Sequence, residues 1–343
     1  MTKKYRALIV GCGGISGAWF SPIQTHFSDR VELVGLVDLN LENAAKAAEK
    51  YNLGNIWTGT SLDEALAQLK PDVVFNITIP EAHHAVCKAA MLAGCDVLVE
   101  KPLAPTVAEA RDLIATSAAT GKCLAVIQNR RYLPSGEAVR KALAEGVIGR
   151  VHSVYADFFL APRFGGFRDA MQHPLLLDMA IHTFDQGRYL TGLDPARATC
   201  YEFNPVGSWY AHGASAIATF EMTDGAVFNY RGSWCAQGLP TSWESAWRII
   251  GDKGTLLWDG DKSIVAERVV GEPTEFFQNV ERLTFEPLPL EDRARGHAGN
   301  IGEFLDALDS GHAPQTIASD NIHSLEMVEA STRSAESGTS VSI

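Results

Sequence analysis

The chain has 343 residues, about two domains' length, with the 46% apolar and 20% charged content of an ordinary globular protein. A net charge of −12 without any Lys/Arg cluster excludes nucleic acid and anionic membranes as partners on bulk charge. No apolar run approaches the ~18 residues of a membrane span, and the six cysteines (12, 87, 95, 123, 200, 235) form no CxxC pair or disulfide framework. Met1-Thr2-Lys3-Lys4-Tyr5 leads directly into an apolar strand with no signal peptide ahead of it, so a cytoplasmic protein with reduced thiols is expected.

In chain order, the first half alternates short apolar runs with Ala-rich stretches. The runs are 7–10, 31–37, 72–77, 96–99 and 123–127, and the intervening 41–51, 61–69, 81–93 and 107–120 are rich in good helix formers. This alternation predicts an α/β, doubly wound parallel sheet. A helix over 135–145 bridges to a different pattern. Residues 150–160 alternate weakly, 214–221 and 226–234 flank Thr223-Asp224-Gly225, and 247–250 and 255–258 flank Gly251-Asp252-Lys253-Gly254. Such turns predict hairpins and an antiparallel sheet. Asp259-Gly260-Asp261 marks a third turn, and helices return at 298–309 and 320–335. The reading divides the chain into 1–127, a dinucleotide-binding domain, and 128–343, a substrate-binding and assembly domain.

Gly11-Cys12-Gly13-Gly14-Ile15-Ser16 follows the first strand and fits G-x-G-x-x-G, with Ser16 in the third glycine's place. The first glycine allows a tight turn, the second lets backbone approach a pyrophosphate, and the third position needs a small residue where helix meets sheet. The following helix N-terminus favours the anion. Asp38 ends the second strand, where an acid accepts hydrogen bonds from ribose hydroxyls and repels a 2′-phosphate. Leu39-Asn40-Leu41 supplies no arginine beside it, so NAD is expected over NADP.

Lys101, in Val99-Glu100-Lys101-Pro102, follows the strand 96–99 at the carboxyl edge where doubly wound sheets bind ligands. In 173–185, a helix would place Asp178 and His182 at i and i+4 on one face, with Asp185 close by. A carboxylate beside an imidazole raises its basicity or fixes its orientation. There is no HExxH motif and no Cys/His cluster, so no metal is expected.

Together these residues resemble the Gfo/Idh/MocA family of glucose–fructose oxidoreductase, inositol 2-dehydrogenase and rhizopine-catabolism proteins. Thr78-Ile79-Pro80 with His84 is similar to the family's T-P-x-x-x-H, and Glu100-Lys101-Pro102 is its E-K-P. Asp178-x-Ala180-x-His182-x-x-Asp185 resembles the end of its G-G-x-x-x-D-x-G-x-H-x-x-D pattern. The segments 304–308 and 334–338 resemble its closing helices. His173-Pro174 stands where Gly-Gly is usual, Ala180 replaces a glycine, and Ile79 separates Thr78 from Pro80.

The resemblance implies a Rossmann domain followed by an α/β domain with a large, open, mainly antiparallel sheet that builds homodimers or homotetramers. It implies Lys101, Asp178 and His182 as catalytic residues. It places NAD against Gly11, Gly13, Gly14, Ile15, Ser16, Asp38, Thr78, Pro80, His84, Glu100 and Lys101. The expected reaction is NAD-dependent oxidation of a secondary alcohol on a sugar, inositol or related polyol. His182 would act as base, Lys101 would stabilise the alkoxide, and Asp178 would orient substrate or His182. Asn129, Arg131 and Tyr132, and the loop arginines Arg163 and Arg168, are expected at the substrate, the arginines suiting an anionic group. Trp234 and His212 are further candidates for the pocket lining. Two alternatives stay open: a redox-neutral enzyme that oxidises a glycoside transiently at C3 and eliminates the aglycone, and a non-catalytic NAD(P)-binding sensor.

Overall fold

The computed structural model describes residues 4–271 and 276–343, with Phe167 described by its backbone alone. It contains two compact units. The first is the chain up to Tyr132 together with Leu290–Leu325, and the second is Leu133–Pro289 together with Glu326–Ile343.

The first unit runs β1 (Tyr5–Val10), α1 (Gly17–His26), β2 (Val31–Val37), α2 (Leu41–Lys50), β3 (Trp57–Gly59), α3 (Leu62–Leu69) and β4 (Val73–Asn76). It continues with α4 (Pro80–Leu92), β5 (Asp96–Val99), α5 (Val107–Thr120) and β6 (Leu124–Val126). All strands are parallel in the order β3-β2-β1-β4-β5-β6, the doubly wound sheet that continuous apolar strands predict. One face buries Trp19, Phe20 and Ile23 of α1 with Ala44 and Ala47 of α2. The other buries Cys87, Ala90 and Met91 of α4 with Ala110 and Leu113 of α5. Capping fixes several helix starts: Asn40, Ser61 and Thr106 accept the orphan N–H groups of Glu42, Glu64 and Glu109.

The second unit begins with α6 (Pro134–Ala144), β7 (Val151–Phe159), the short α7 (Phe167–Ala170), a π-helical segment Leu175–Ala180, α8 (Ile181–Thr191) and β8 (Pro195–Phe203). Then come β9 (Ser215–Met222), β10 (Val227–Ser233), β11 (Ala246–Gly251), β12 (Gly254–Trp258), β13 (Ile264–Val269) and β14 (Val280–Phe285). After these, α9 (Gly296–Ser310) lies in the first unit, while α10 (Ala318–Ser337) begins in the first and finishes in the second, before β15 (Val341–Ser342). The nine-stranded sheet has the order β14-β13-β12-β11-β7-β10-β9-β8-β15. Only the β7–β10 pair is parallel among the described residues. The expected hairpin turns join β9 to β10 through left-handed Asp224 and Gly225, and β11 to β12 through Asp252-Lys253. Helix α8 sits close on the sheet's inner face. A Cβ on Gly187 would lie 2.7 Å from the Phe228 ring, and Phe184 makes edge-on contacts with Phe220, Tyr230 and Phe228.

The sequence reading divides the chain after Ile127. The compact units divide it after Tyr132 and return Leu290–Leu325 to the first. The reason is local: Ile301, Phe304 and Leu305 of α9 complete the core beneath α1, and Tyr132 hydrogen-bonds Glu303 of α9.

Candidate functional site

In the first unit, the turn after β1 is built for close approach. Gly11 has φ +96°, and a Cβ there would lie 2.5 Å from the Ile77 carbonyl oxygen, so only glycine fits. A Cβ on Gly13 or Gly14 would meet nothing within 4 Å, and Ile15 is half exposed. The loop's outer side is therefore open backbone at a helix start. Ser16 replaces the third glycine without crowding, since its buried hydroxyl turns back to the Gly13 carbonyl at 2.7 Å. The Asp38 carboxylate accepts from Cys12 N at 2.8 Å, Asn40 N at 2.9 Å and Asn43 Nδ2 at 3.1 Å. These contacts fix the acid, an acceptor for ribose hydroxyls, beside the glycine loop, whose backbone N–H groups are donors for a pyrophosphate. Burial, then Asp38's charge, pushes the Cys12 thiol up to about 12, which keeps the loop's cysteine protonated and inert.

At the other strand ends, Thr78 hydrogen-bonds Asn76 Oδ1 through its hydroxyl at 2.7 Å, and Pro80 starts α4 at a position that needs no N–H. The histidine expected near the cofactor is His84. Its ring bonds Asp112 of α5 at 2.7 Å, because position 84 faces the neighbouring helix. The preceding His83 is the buried one. Its Nδ1 lies 2.6 Å from the Pro102 carbonyl and its Nε2 3.1 Å from that of Thr78. Burial lowers the ring's pKa, and a neutral ring donates to one carbonyl only, the shorter contact favouring Nδ1 to Pro102. Nothing in the sequence separates two adjacent histidines on an unplaced helix.

Glu100, expected at the cofactor, is turned inward. It is 7% exposed and accepts from Trp19 Nε1 at 2.9 Å and Lys101 N at 3.1 Å. His297 Nε2 of α9 stands 3.5 Å away. Burial alone would raise this acid's pKa; the His297 contact, Trp19 and Lys101 together outweigh it and hold it down. Glu100 thus anchors the segment that carries the half-buried Lys101, whose bond to Pro102 is cis. Trp19 and His297 gave no motif in the sequence.

Two residues expected at the substrate have partners within the chain. Arg131 is 4% exposed and spans Asp320 Oδ2 at 2.7 Å and the Gln315 carbonyl at 2.6 Å. The Tyr132 hydroxyl donates to Glu303 at 2.7 Å, and burial, then Glu303, pushes that phenol's pKa well up. Both side chains are committed to tying the turn 129–132 to the returning C-terminal segment. Asn129, in the same turn, is half-buried.

In the second unit, Asp178 lies in the π-helical segment and His182, 8% exposed, in the first turn of α8. The α-periodicity expected over both gives way to a wider turn, a geometry frequent at functional sites. Arg168 Nε donates to Asp178 Oδ2 at 2.8 Å. The Arg163 guanidinium stacks on Trp209 at 3.9 Å from the ring centroid. Phe164, half exposed, packs on the buried Trp234 at 5.2 Å, while His212 pairs with Gln172 at 2.9 Å. His173 takes a left-handed φ of +48°, a region glycine enters without strain. Its Nδ1 meets Glu202 at 2.5 Å and its Nε2 meets Glu336 at 3.3 Å, and the Glu202 contact, ahead of all else, raises its pKa. Among the described residues no group of three or more His, Cys, Asp or Glu is placed to hold a metal.

A family model described as the oxidoreductase family's NAD-binding Rossmann fold matches residues 5–128, and the model of its C-terminal alpha/beta domain matches 140–343. The chain belongs to the Gfo/Idh/MocA family. Its N-terminal part is an NAD-binding Rossmann domain. Among family relatives, 1,5-anhydro-D-fructose reductase of Ensifer adhaerens is 25% identical over 91% of this chain and 91% of its own. D-apiose dehydrogenase of Paraburkholderia graminis is 26% identical over 99% and 90%. The crystal structure of an oxidoreductase from Agrobacterium radiobacter in complex with NAD+, L-tartaric acid and magnesium superposes with a TM-score of 0.87. It is 19% identical and covers 99% of this chain and 98% of that one. No helix among the described residues is long and apolar enough to cross a membrane.

Proposed function

We propose that this family member is a dehydrogenase that prefers NAD and transfers hydride between nicotinamide and a secondary hydroxyl of a sugar, inositol or related polyol. The observation that carries the reading is the Asp38 carboxylate, held by Cys12 N and Asn40 N at the glycine loop, in a chain that also retains Lys101, Asp178 and His182. The sugar-oxidoreductase names of the relatives support the substrate class.

Nicotinamide, when bound, supplies the two-electron acceptor. The glycine loop holds the pyrophosphate, and Asp38 takes the ribose hydroxyls. In the oxidative direction His182 removes the hydroxyl proton, a step worth ~10²–10⁴-fold. Lys101 donates a hydrogen bond to the same oxygen as negative charge builds on it. Asp178 orients the substrate or the imidazole. Asn129 and Arg163 are proposed to contact the substrate, Arg163 where the substrate carries an anionic group. Retention of the acid–base residues argues against a sensor.

The test is a panel of D-glucose, myo-inositol, D-apiose and p-nitrophenyl β-D-glucopyranoside with NAD+, and 1,5-anhydro-D-fructose with NADH, read at the nicotinamide absorbance and by product analysis. Net NADH formed or consumed with a ketone–alcohol pair supports the reading. Aglycone released from a glycoside without net NADH would replace it with the redox-neutral reaction.

A further inference from the structure

The two loop arginines are alike in the sequence but not in their surroundings. We propose that Arg168 is a positioning residue that holds the Asp178 carboxylate in its working orientation, rather than a clamp for a substrate anion. The proposal rests on the reading of Asp178 as part of the reacting site.

The geometry is specific. Arg168 Nε meets Asp178 Oδ2 at 2.8 Å across ten residues of chain, with side chains 33% and 16% exposed. The pair is better shielded than a surface salt bridge, whose typical worth is small. The guanidinium also lies 5.1 Å from the Phe164 ring centroid, and Phe164 rests on Trp234, which is 3% exposed. A flat cation held between a carboxylate and an aromatic face is a place lysine fills poorly.

The backbone around Arg168 is pinned as well. Gly165 and Gly166 turn left-handed at φ +68° and +70° and lead into α7. The Asp169 carbonyl accepts from Ala211 N at 2.7 Å, and the Pro162 carbonyl from the Tyr210 hydroxyl at 3.2 Å. The loop that carries Arg168 is therefore fixed to β-sheet connections at both ends of the turn.

Asp178 sits in the π-helical segment, whose i→i+5 bonding points side chains differently from an α-helix, so the carboxylate's aim rests on its own contacts. A carboxylate has about four lone-pair sites, so one oxygen can accept from Arg168 while the group still accepts from a substrate hydroxyl or His182. Holding the carboxylate before substrate arrives removes its rotational freedom from the cost of reaching the transition state. That predicts a loss in kcat more than in KM.

The test measures kcat and KM for the wild type, Arg168→Ala, Arg168→Lys, Asp178→Asn and the Arg168→Ala/Asp178→Asn double variant. The probe is whichever of D-glucose with NAD+ and 1,5-anhydro-D-fructose with NADH turns over faster. Arg168→Ala should lose ~10–100-fold in kcat with KM within about threefold. Methylguanidinium added to Arg168→Ala should restore at least about fivefold, a rescue that a misfolded loop would not show, and Arg168→Lys should recover only part of the rate. The double variant should be no worse than about twofold below Asp178→Asn, since the two residues act as a unit. Near-native kcat in Arg168→Ala beside a crippled Asp178→Asn overturns the positioning role alone. So does a loss confined to KM, which would make Arg168 a substrate contact. Near-native kcat in Asp178→Asn instead overturns the reading of Asp178 on which the proposal stands.

Discussion

At the residue scale, cofactor choice rests on one carboxylate. Asp38 is held by two backbone N–H groups and the Asn43 amide, so it can neither swing away from a 2′-phosphate nor find an arginine in Leu39-Asn40-Leu41 to offset its charge. NAD(H) should therefore bind more tightly than NADP(H) in calorimetric titration. Asp38→Ala should narrow the gap, mostly by weakening NAD(H), because ribose contacts and phosphate repulsion disappear together. Tighter binding of NADP(H) by the wild-type protein would defeat the assignment. The chemistry is tested separately at Lys101 and His182. Lys101→Met keeps length but removes charge and donors, and His182→Ala removes the proposed base. Each should lower turnover by ~10²-fold or more, and His182→Ala should leave NAD affinity near wild type, as His182 lies in the unit without the glycine loop and Asp38. On the proposed mechanism the losses should combine less than additively. Near-native turnover in His182→Ala would move the base elsewhere, with Asp178 the next candidate.

At the scale of elements, the start of α8 shows how a departure from the family pattern is accommodated. His173 takes a left-handed backbone, which glycine adopts freely, and adds side-chain bonds to Glu202 of β8 and Glu336 of α10. Its raised pKa fixes the sign of a pH effect. Stabilisation from a histidine whose folded pKa exceeds its unfolded one is complete below the unfolded value, near 6.5, and is lost as pH rises through the folded value. The melting-temperature gap between wild type and His173→Gln should therefore be larger at pH 6 than at pH 9, and a gap that widens with pH would contradict the clamp. The elements that a sequence reading could locate are those whose cause is local. The parallel strands announce themselves by continuous apolar runs, the hairpins by Asp-Gly and Gly-Asp-Lys-Gly, and the dinucleotide loop by glycines required at fixed offsets. The π-helical segment carries no local signature, since its residues suit an α-helix equally. Whether Arg131 and Tyr132 face a ligand or a returning helix depends on where residues 290–325 dock, roughly 170 to 190 positions away along the chain. The same holds for His83 against His84, and for Glu100, which turns inward to Trp19 and His297.

At the scale of the whole molecule, the nine-stranded sheet leaves one face to be explained. Its inner face is covered by α6, α8, the π-helical segment and the end of α10. The opposite face shows Tyr155 of β7, Tyr201 of β8, Ile217 of β9, Val227 of β10 and Leu257 of β12, each between 39% and 68% exposed. Register places Tyr201, Ile217, Arg231 and Asp157 in one cross-strand row, so apolar groups lie beside the Arg231–Asp157 ion pair, bonded at 2.7 Å through Nε. Apolar side chains spread over several adjacent strands form the kind of patch that monomers rarely leave in water, and an antiparallel sheet covered on one face has the other available. The expected assembly is a homodimer or homotetramer formed through this face. Light scattering coupled to size exclusion should give twice or four times the 37.1 kDa chain mass at micromolar concentration. Paired substitution Tyr201→Glu/Ile217→Lys should shift the mass toward that of one chain with an unchanged far-ultraviolet circular dichroism spectrum, because both positions point outward and leave the inner core intact. NAD affinity should be unaltered in the same variant, since the glycine loop and Asp38 lie in the other unit. A wild-type mass of 37.1 kDa would show the face to be solvated. An oligomer that survives the paired substitution would place the interface on a different surface.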